Sequence, residues 1–144
     1  MGALQLERVA LQVDDLAVYV RLFSELLDTT FRHHEITSPT EGRVRLAFSP
    51  LGIELLQSDQ PPGGPGLRSF HVRVRDLQAM RAKVTAAGGH VLSQFQVGQM
   101  AHLATRIGPF RILFVEYPGA RGMDALFPVT APEDASAADS PERR

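Results

Sequence analysis

A repeat inside the chain limits its architecture more than any other feature does. Residues 8–16 read RVALQVDDL and residues 69–77 read SFHVRVRDL. Both alternate apolar with other residues and both end in Asp-Leu, at Asp15-Leu16 and Asp76-Leu77. A period of two is what a strand with one buried face requires. A helical pattern follows each copy: Leu16, Val20, Phe23, Leu26 and Leu27 recur at three- and four-residue intervals, as do Leu77, Met80, Val84 and Ala87. Asp14, Asp15 and Asp76 are placed to cap the two helices, and Gly88-Gly89 to end the second.

Three short strands are expected after each helix: Thr30–Ile36, Arg43–Ser49 and Ile53–Gln57, then His90–Gln96, His102–Ile107 and Phe110–Tyr117. Turns fall at Ser38-Pro39, at Pro50-Leu51-Gly52 and at Gly108-Pro109. The chain thus reads as an α+β protein of two tandem βαβββ modules, residues 4–57 and 67–118. A Pro/Gly linker, SDQPPGGPG at 58–66, joins them, and a disordered C-terminal tail is expected over 128–144. A module of about 55 residues buries too little surface to stand alone easily, so the two are expected to share one curved mixed sheet.

Alternation assigns the faces of that sheet. Val9, Leu11 and Val13 form a row that covers a helix, as do Phe70, Val72 and Val74. Arg8, Ala10 and Gln12, with Ser69, His71 and Arg73, then point to the opposite side. A polar face on the central strands of a curved sheet implies the lining of a cavity.

Composition narrows the classes of function. The chain has 144 residues, a formal net charge of −1 and no cysteine, which excludes disulfides, thiolate metal sites and a cysteine nucleophile. Near-neutral charge argues against nucleic acid as a partner. The sequence shows neither an apolar run of membrane-spanning length nor a signal peptide, so a cytoplasmic protein without a membrane partner is expected. Nucleophile-elbow, phosphate-loop, zinc-protease and dinucleotide fingerprints are all missing, and GGPG at 63–66 precedes a strand rather than a helix. Of the fifteen basic residues only Lys83 is lysine. Codon bias in a GC-rich bacterial genome is one reading of that imbalance, and bidentate binding of carboxylate or phosphate by some of these arginines is the other; composition does not choose between them.

Two modules that each open with a V-x-V-x-DL strand resemble the vicinal oxygen chelate superfamily. That group includes glyoxalase I, bleomycin-resistance proteins, extradiol dioxygenases, fosfomycin-resistance enzymes and methylmalonyl-CoA epimerase. The resemblance spans Leu4 to Pro118 and rests on RVALQVDDL, GIELLQ at 52–57, SFHVRVRDL, AAGGHVL at 86–92 and FRILFVEYP. It implies a glyoxalase-like fold, and in metal-dependent members it implies four cavity ligands, one on the first and one on the last strand of each module. Carried onto this chain, those positions are Arg8, Glu54, Ser69 and Leu113, of which only Glu54 is a good ligand. Arg8 is a permanent cation and Leu113 has no donor atom. Glu116 lies three residues beyond Leu113 and so faces the other way.

No cofactor is therefore expected. A divalent metal is left only to a rearranged set of Glu54, His71 and His102. Adjacent strand residues face opposite ways, so His33 and His34 read as an exposed pair. The candidate proton-transfer groups are Glu54 and His71. Arg8, Gln12, Arg73, His102 and Leu113 are the candidate ligand-binding residues, with Arg45 and Arg111 joining them if register allows, and Arg8 facing Glu54 as an ion pair. Leu56, Leu113 and Val115 would make the pocket half apolar, while the phenylalanines read mostly as core or sheet packing.

Three functions fit these residues. The first is a bleomycin-resistance-like protein with a degraded metal site, holding a small anionic or amphipathic metabolite or drug. The second is a metal-independent isomerase, epimerase, cyclase or lyase using Glu54 and His71. The third is a metal-dependent lyase or dioxygenase with rearranged ligands. The resemblance also implies a homodimer.

Overall fold

The repeat becomes two copies of one folding unit. In the computed structural model, which describes residues 4–119, the first strand β1 (Gln5–Gln12) runs into α1 (Leu16–Leu27). The strands β2 (Arg32–Ser38), β3 (Gly42–Ser49) and β4 (Ile53–Ser58) follow. The second copy is β5 (Gly66–Arg73), α2 (Leu77–Ala86), β6 (His90–Val97), β7 (Met100–Ile107) and β8 (Phe110–Glu116). The expected tail at 128–144 and Phe127 lie outside the described residues.

The same local chemistry starts both helices. Asp15 accepts a hydrogen bond from the Val18 amide at 3.3 Å, and Asp76 from the Ala79 amide at 3.0 Å, satisfying helix donors that have no partner inside the helix. A second acceptor reaches each helix from the last strand of its own module. Gln57 Oε1 takes the Leu16 amide and Glu116 Oε1 the Leu77 amide, both at 2.9 Å. Glu116 therefore does face the helix side, as its spacing from Leu113 requires. Asp14 caps neither helix. The second helix closes at Ala87, followed by Gly88 at φ 85°.

All eight strands form one sheet in the order β2-β3-β4-β1-β5-β8-β7-β6. Within each module the first and last strands pair in parallel, β1 with β4 and β5 with β8, and antiparallel pairing of β1 with β5 joins the modules at the centre. On one face α1 packs Leu16, Tyr19, Val20 and Phe23 against Leu11, Val13, Ala47 and Leu55. There α2 packs Leu77, Met80 and Val84 against Val72, Leu103, Ile112 and Phe114. The hydrophobic stripe of α1 ends early: Leu26, expected on its buried face, is 76% exposed.

The other face has its own apolar cluster, in which Val44, Leu46 and Phe48 of β3 and Leu56 of β4 join Met100 of β7, Val115 of β8 and Tyr117. In a flat sheet β3 and β7 would stand about 24 Å apart, five strand spacings of roughly 4.8 Å. One cluster containing both shows that the sheet curls around them, which gives a curved surface for a site.

Candidate functional site

Inside the curl is a cavity of about 500 Å³. The strand registers fix which side chains reach it. Arg8 pairs with His71 and His71 with Leu113, while Ala10 pairs with Glu54 on one side and Ser69 on the other. The four positions aligned with the family's ligands, Arg8, Glu54, Ser69 and Leu113, therefore all line one cavity, together with His71, His102, Phe48, Phe95, Arg68 and Arg111.

Arg8 and Glu54 form the ion pair that their shared face suggests. Arg8 Nε donates to Glu54 Oε1 at 2.7 Å, with both side chains less than a tenth exposed. Its Nη1 lies 3.8 Å from Met100 Sδ, and its guanidinium carbon sits 5.3 Å from the centre of the Phe48 ring. The cation is thus held by charge, thioether and aromatic face together.

Next to it are two imidazoles. The His71 and His102 rings meet edge to face with centroids 6.1 Å apart, and Phe95 stacks flat on His102 at 4.7 Å. Met100 O lies 3.1 Å from His102 Nδ1. Burial, then the Arg8 charge, lowers the His102 pKa to about 4, despite the opposing pull of the Met100 carbonyl. Burial first, then Arg8 and His102, holds His71 well below the usual histidine range. Both rings are therefore neutral at ordinary pH. Neither His71 nitrogen has a hydrogen-bond partner among the described residues, and its Nδ1 is sealed from solvent.

Two expected cavity residues lie elsewhere. Gln12 shares the face of Arg8 but is drawn to the linker: its Nε2 donates to the carbonyls of Gly63 at 2.6 Å and Gly64 at 3.2 Å. Its Oε1 accepts from Arg68 at 3.1 Å, so Gln12 fastens the linker beside the pocket rather than lining it. Arg73 lies at the far end of β5, beyond the cavity. Its guanidinium stacks 3.8 Å above the Tyr117 ring and donates to the carbonyls of Tyr117 and Gly119. Register also decides the residues left open. Arg111 lines the cavity, whereas Arg45 falls between the inward-facing Val44 and Leu46 and lies on the other face. His33 and His34 are both exposed, and Val115 packs in the apolar cluster rather than on the pocket wall.

Sequence reasoning missed two parts of the site and one buried contact outside its lining. Phe95 reads as sheet packing, but it covers His102. Arg68 holds Glu41 through both guanidinium ends at the cavity rim, with 2.8 Å from Nη1 to Oε1; only the fold joins residues so distant in the chain. Glu7 is buried and takes the Tyr117 hydroxyl on both carboxylate oxygens, at 2.9 and 2.8 Å. A register shift between Leu6 and Arg8 breaks the alternation there, so period-two reasoning fails at that residue.

The superfamily's divalent metal does not fit these residues. A guanidinium stands at one ligand position and a hydrocarbon at another. Among the described residues, no three His, Asp or Glu side chains gather closely enough to hold an ion.

Comparison with known proteins supports the architecture. A hypothetical protein from Bacillus halodurans superposes with a TM-score of 0.69 at 15% identity, covering 84% of this chain and 99% of its own. A variant of Streptomyces coelicolor methylmalonyl-CoA epimerase, in complex with 2-nitronate-propionyl-CoA, gives 0.65 at 15% identity over 80% and 98%. The chain shares its fold with these proteins. A variant of 4-hydroxymandelate synthase from the same organism has this fold too, with a TM-score of 0.68 at 15% identity; the match covers 95% of this chain and 56% of the synthase. No protein-family model matches the chain, and no curated protein matches it in sequence. At such identities the likeness speaks for the fold and leaves the chemistry to the site.

Proposed function

We propose that the cavity binds a small amphipathic anion without a metal. The observation that carries this reading is the Arg8–Glu54 pair, which places a permanent cation where the superfamily's chemistry needs a ligand atom. Around it the wall divides into two parts. Val44, Leu46, Phe48, Leu56, Phe95 and Leu113 offer apolar surface, while Arg68, Arg111, Ser69 and His71 offer polar groups. A pocket with an apolar wall and a few convergent polar groups is the ordinary form of a small-molecule site.

Hydrocinnamate, an aryl ring on a short carboxylate arm, is a suitable probe. Titrated into chelator-treated protein and followed by amide chemical shifts, it is expected to perturb β1, β4, β5 and β8 saturably. Leu113→Phe, which fills the pocket, is expected to abolish the change. Shifts that are absent or scattered over the surface would refute the reading.

His71 supports a second reading. A neutral imidazole on the cavity wall is in the form that accepts a proton, so His71 is the candidate base of a metal-independent isomerase, epimerase or lyase. Glu54 is less suited to that role because Arg8 already occupies its carboxylate. Deuterium from solvent appearing in a recovered ligand, and lost with His71→Ala, would favour catalysis over binding alone.

A further inference from the structure

The charges lining the cavity do not balance. Three arginines, Arg8, Arg68 and Arg111, face two glutamates, Glu41 and Glu54, and the two histidines are neutral. Arg8 is spent on Glu54, and Arg68 on Glu41 and Gln12. Arg111 is the arginine left over. It makes no hydrogen bond or ion pair with any described residue, and its Nε is buried without a partner.

Its surroundings make the position costly. Arg111 lies directly opposite Arg106 in the β7–β8 register, and like charges facing across a strand pair repel. Burial and the nearby Arg68 and Arg106 disfavour its charged form, and only Glu41 favours it. A half-buried guanidinium facing two other arginines, with Glu41 as its one favourable charge and no hydrogen bond, gains little for the fold. An anion brought to its free Nη end would gain the two parallel hydrogen bonds that a guanidinium forms with a carboxylate.

We infer that Arg111 is the anion-recognition residue of this cavity and that its ligand carries one negative charge, as a carboxylate does, at the end of an apolar body. One added negative charge neutralises the lining, whereas a second would face Glu41 and Glu54 unbalanced. The apolar body then lies along Leu113, Leu56 and Phe48, with its inner end toward His71. This inference rests on the proposal that the cavity is a ligand site, and the test below separates the two.

Four probes of similar shape are titrated into the whole chain by calorimetry at pH 7.5: hydrocinnamate, hydrocinnamamide, phenethylamine and phenethyl phosphate. Hydrocinnamate is expected to bind at least tenfold more tightly than the amide or the phosphate, and the amine not at all. Arg111→Gln is expected to bring hydrocinnamate down to the affinity of the amide, and Arg111→Lys to recover part of the loss. Ligand-free Arg111→Gln is expected to melt no lower than wild type, because the residue is unpartnered and repelled. Equal binding of acid and amide, unchanged by Arg111→Gln, would overturn the role of Arg111 while leaving the cavity a binding site. Tighter binding of the phosphate would overturn the single charge. Failure of all four probes to bind would overturn both the inference and the binding proposal.

Discussion

At the residue scale, the Arg8–Glu54 pair is the contact whose loss has the clearest consequence. Both side chains are less than a tenth exposed, so neither charge has water to turn to when its partner is removed. Glu54→Gln or Arg8→Met alone is expected to destabilise the fold by about 3–5 kcal/mol in urea unfolding. The double variant Arg8→Met/Glu54→Leu removes both charges and is expected to recover most of that loss, since an apolar pair of similar volume suits the neighbouring Phe48 and Met100. A double variant as unstable as the sum of the singles would show that the pair is not acting as a unit.

At the scale of elements, the two helix starts carry the duplication most plainly. Each has an aspartate cap and a second acceptor supplied by the closing strand of its module, Gln57 for α1 and Glu116 for α2. Asp15→Ala and Asp76→Ala are each expected to cost about 1 kcal/mol. The two caps share no partner, so the double variant should lose the sum; a clear departure would mean that the helices are coupled through the sheet. The Asp15 and Asp76 caps, the succession of elements along the chain and most of each helix face were legible because they depend on short sequence spacing. The site was legible only in part. Alternation put Arg8 and His71 on the cavity face, and the family resemblance put Glu54 and Leu113 there; the structure has all four on one cavity wall because β1, β4, β5 and β8 are the central strands. It failed for Gln12 and Arg73, which share the inward face but are captured by backbone carbonyls of the linker and of residues 117–119. Such captures depend on where the chain returns in space, and local sequence does not encode that.

For the whole molecule, the curl buries ionisable groups and ties stability to pH. His71 and His102 have folded pKa values below their unfolded ones, so the unfolded chain takes up protons that the native state refuses. Their destabilising effect is absent above the unfolded value of about 6.5 and grows as pH falls, for His102 until about pH 4. The slope reaches about 1.4 kcal/mol per pH unit for each histidine. Glu41 acts in the same direction lower down: the Arg68 hydrogen bond lowers its pKa, so its contribution is present above the ordinary carboxylate value and fades as pH falls through the folded one. Urea midpoints taken from pH 7.5 to 4.5 are expected to hold down to about pH 6.5 and then to fall, and His102→Leu is expected to make that fall shallower. A flat wild-type curve would mean that the rings are protonated in the folded state.

The proposal that the cavity works through an arginine–glutamate pair and without a metal is best tested by one comparison. The dissociation constant of hydrocinnamate is measured with EDTA present, and again with saturating Mn²⁺ or Zn²⁺ and no chelator. The two values are expected to agree within about twofold. Binding that appears only when the ion is added would contradict the account.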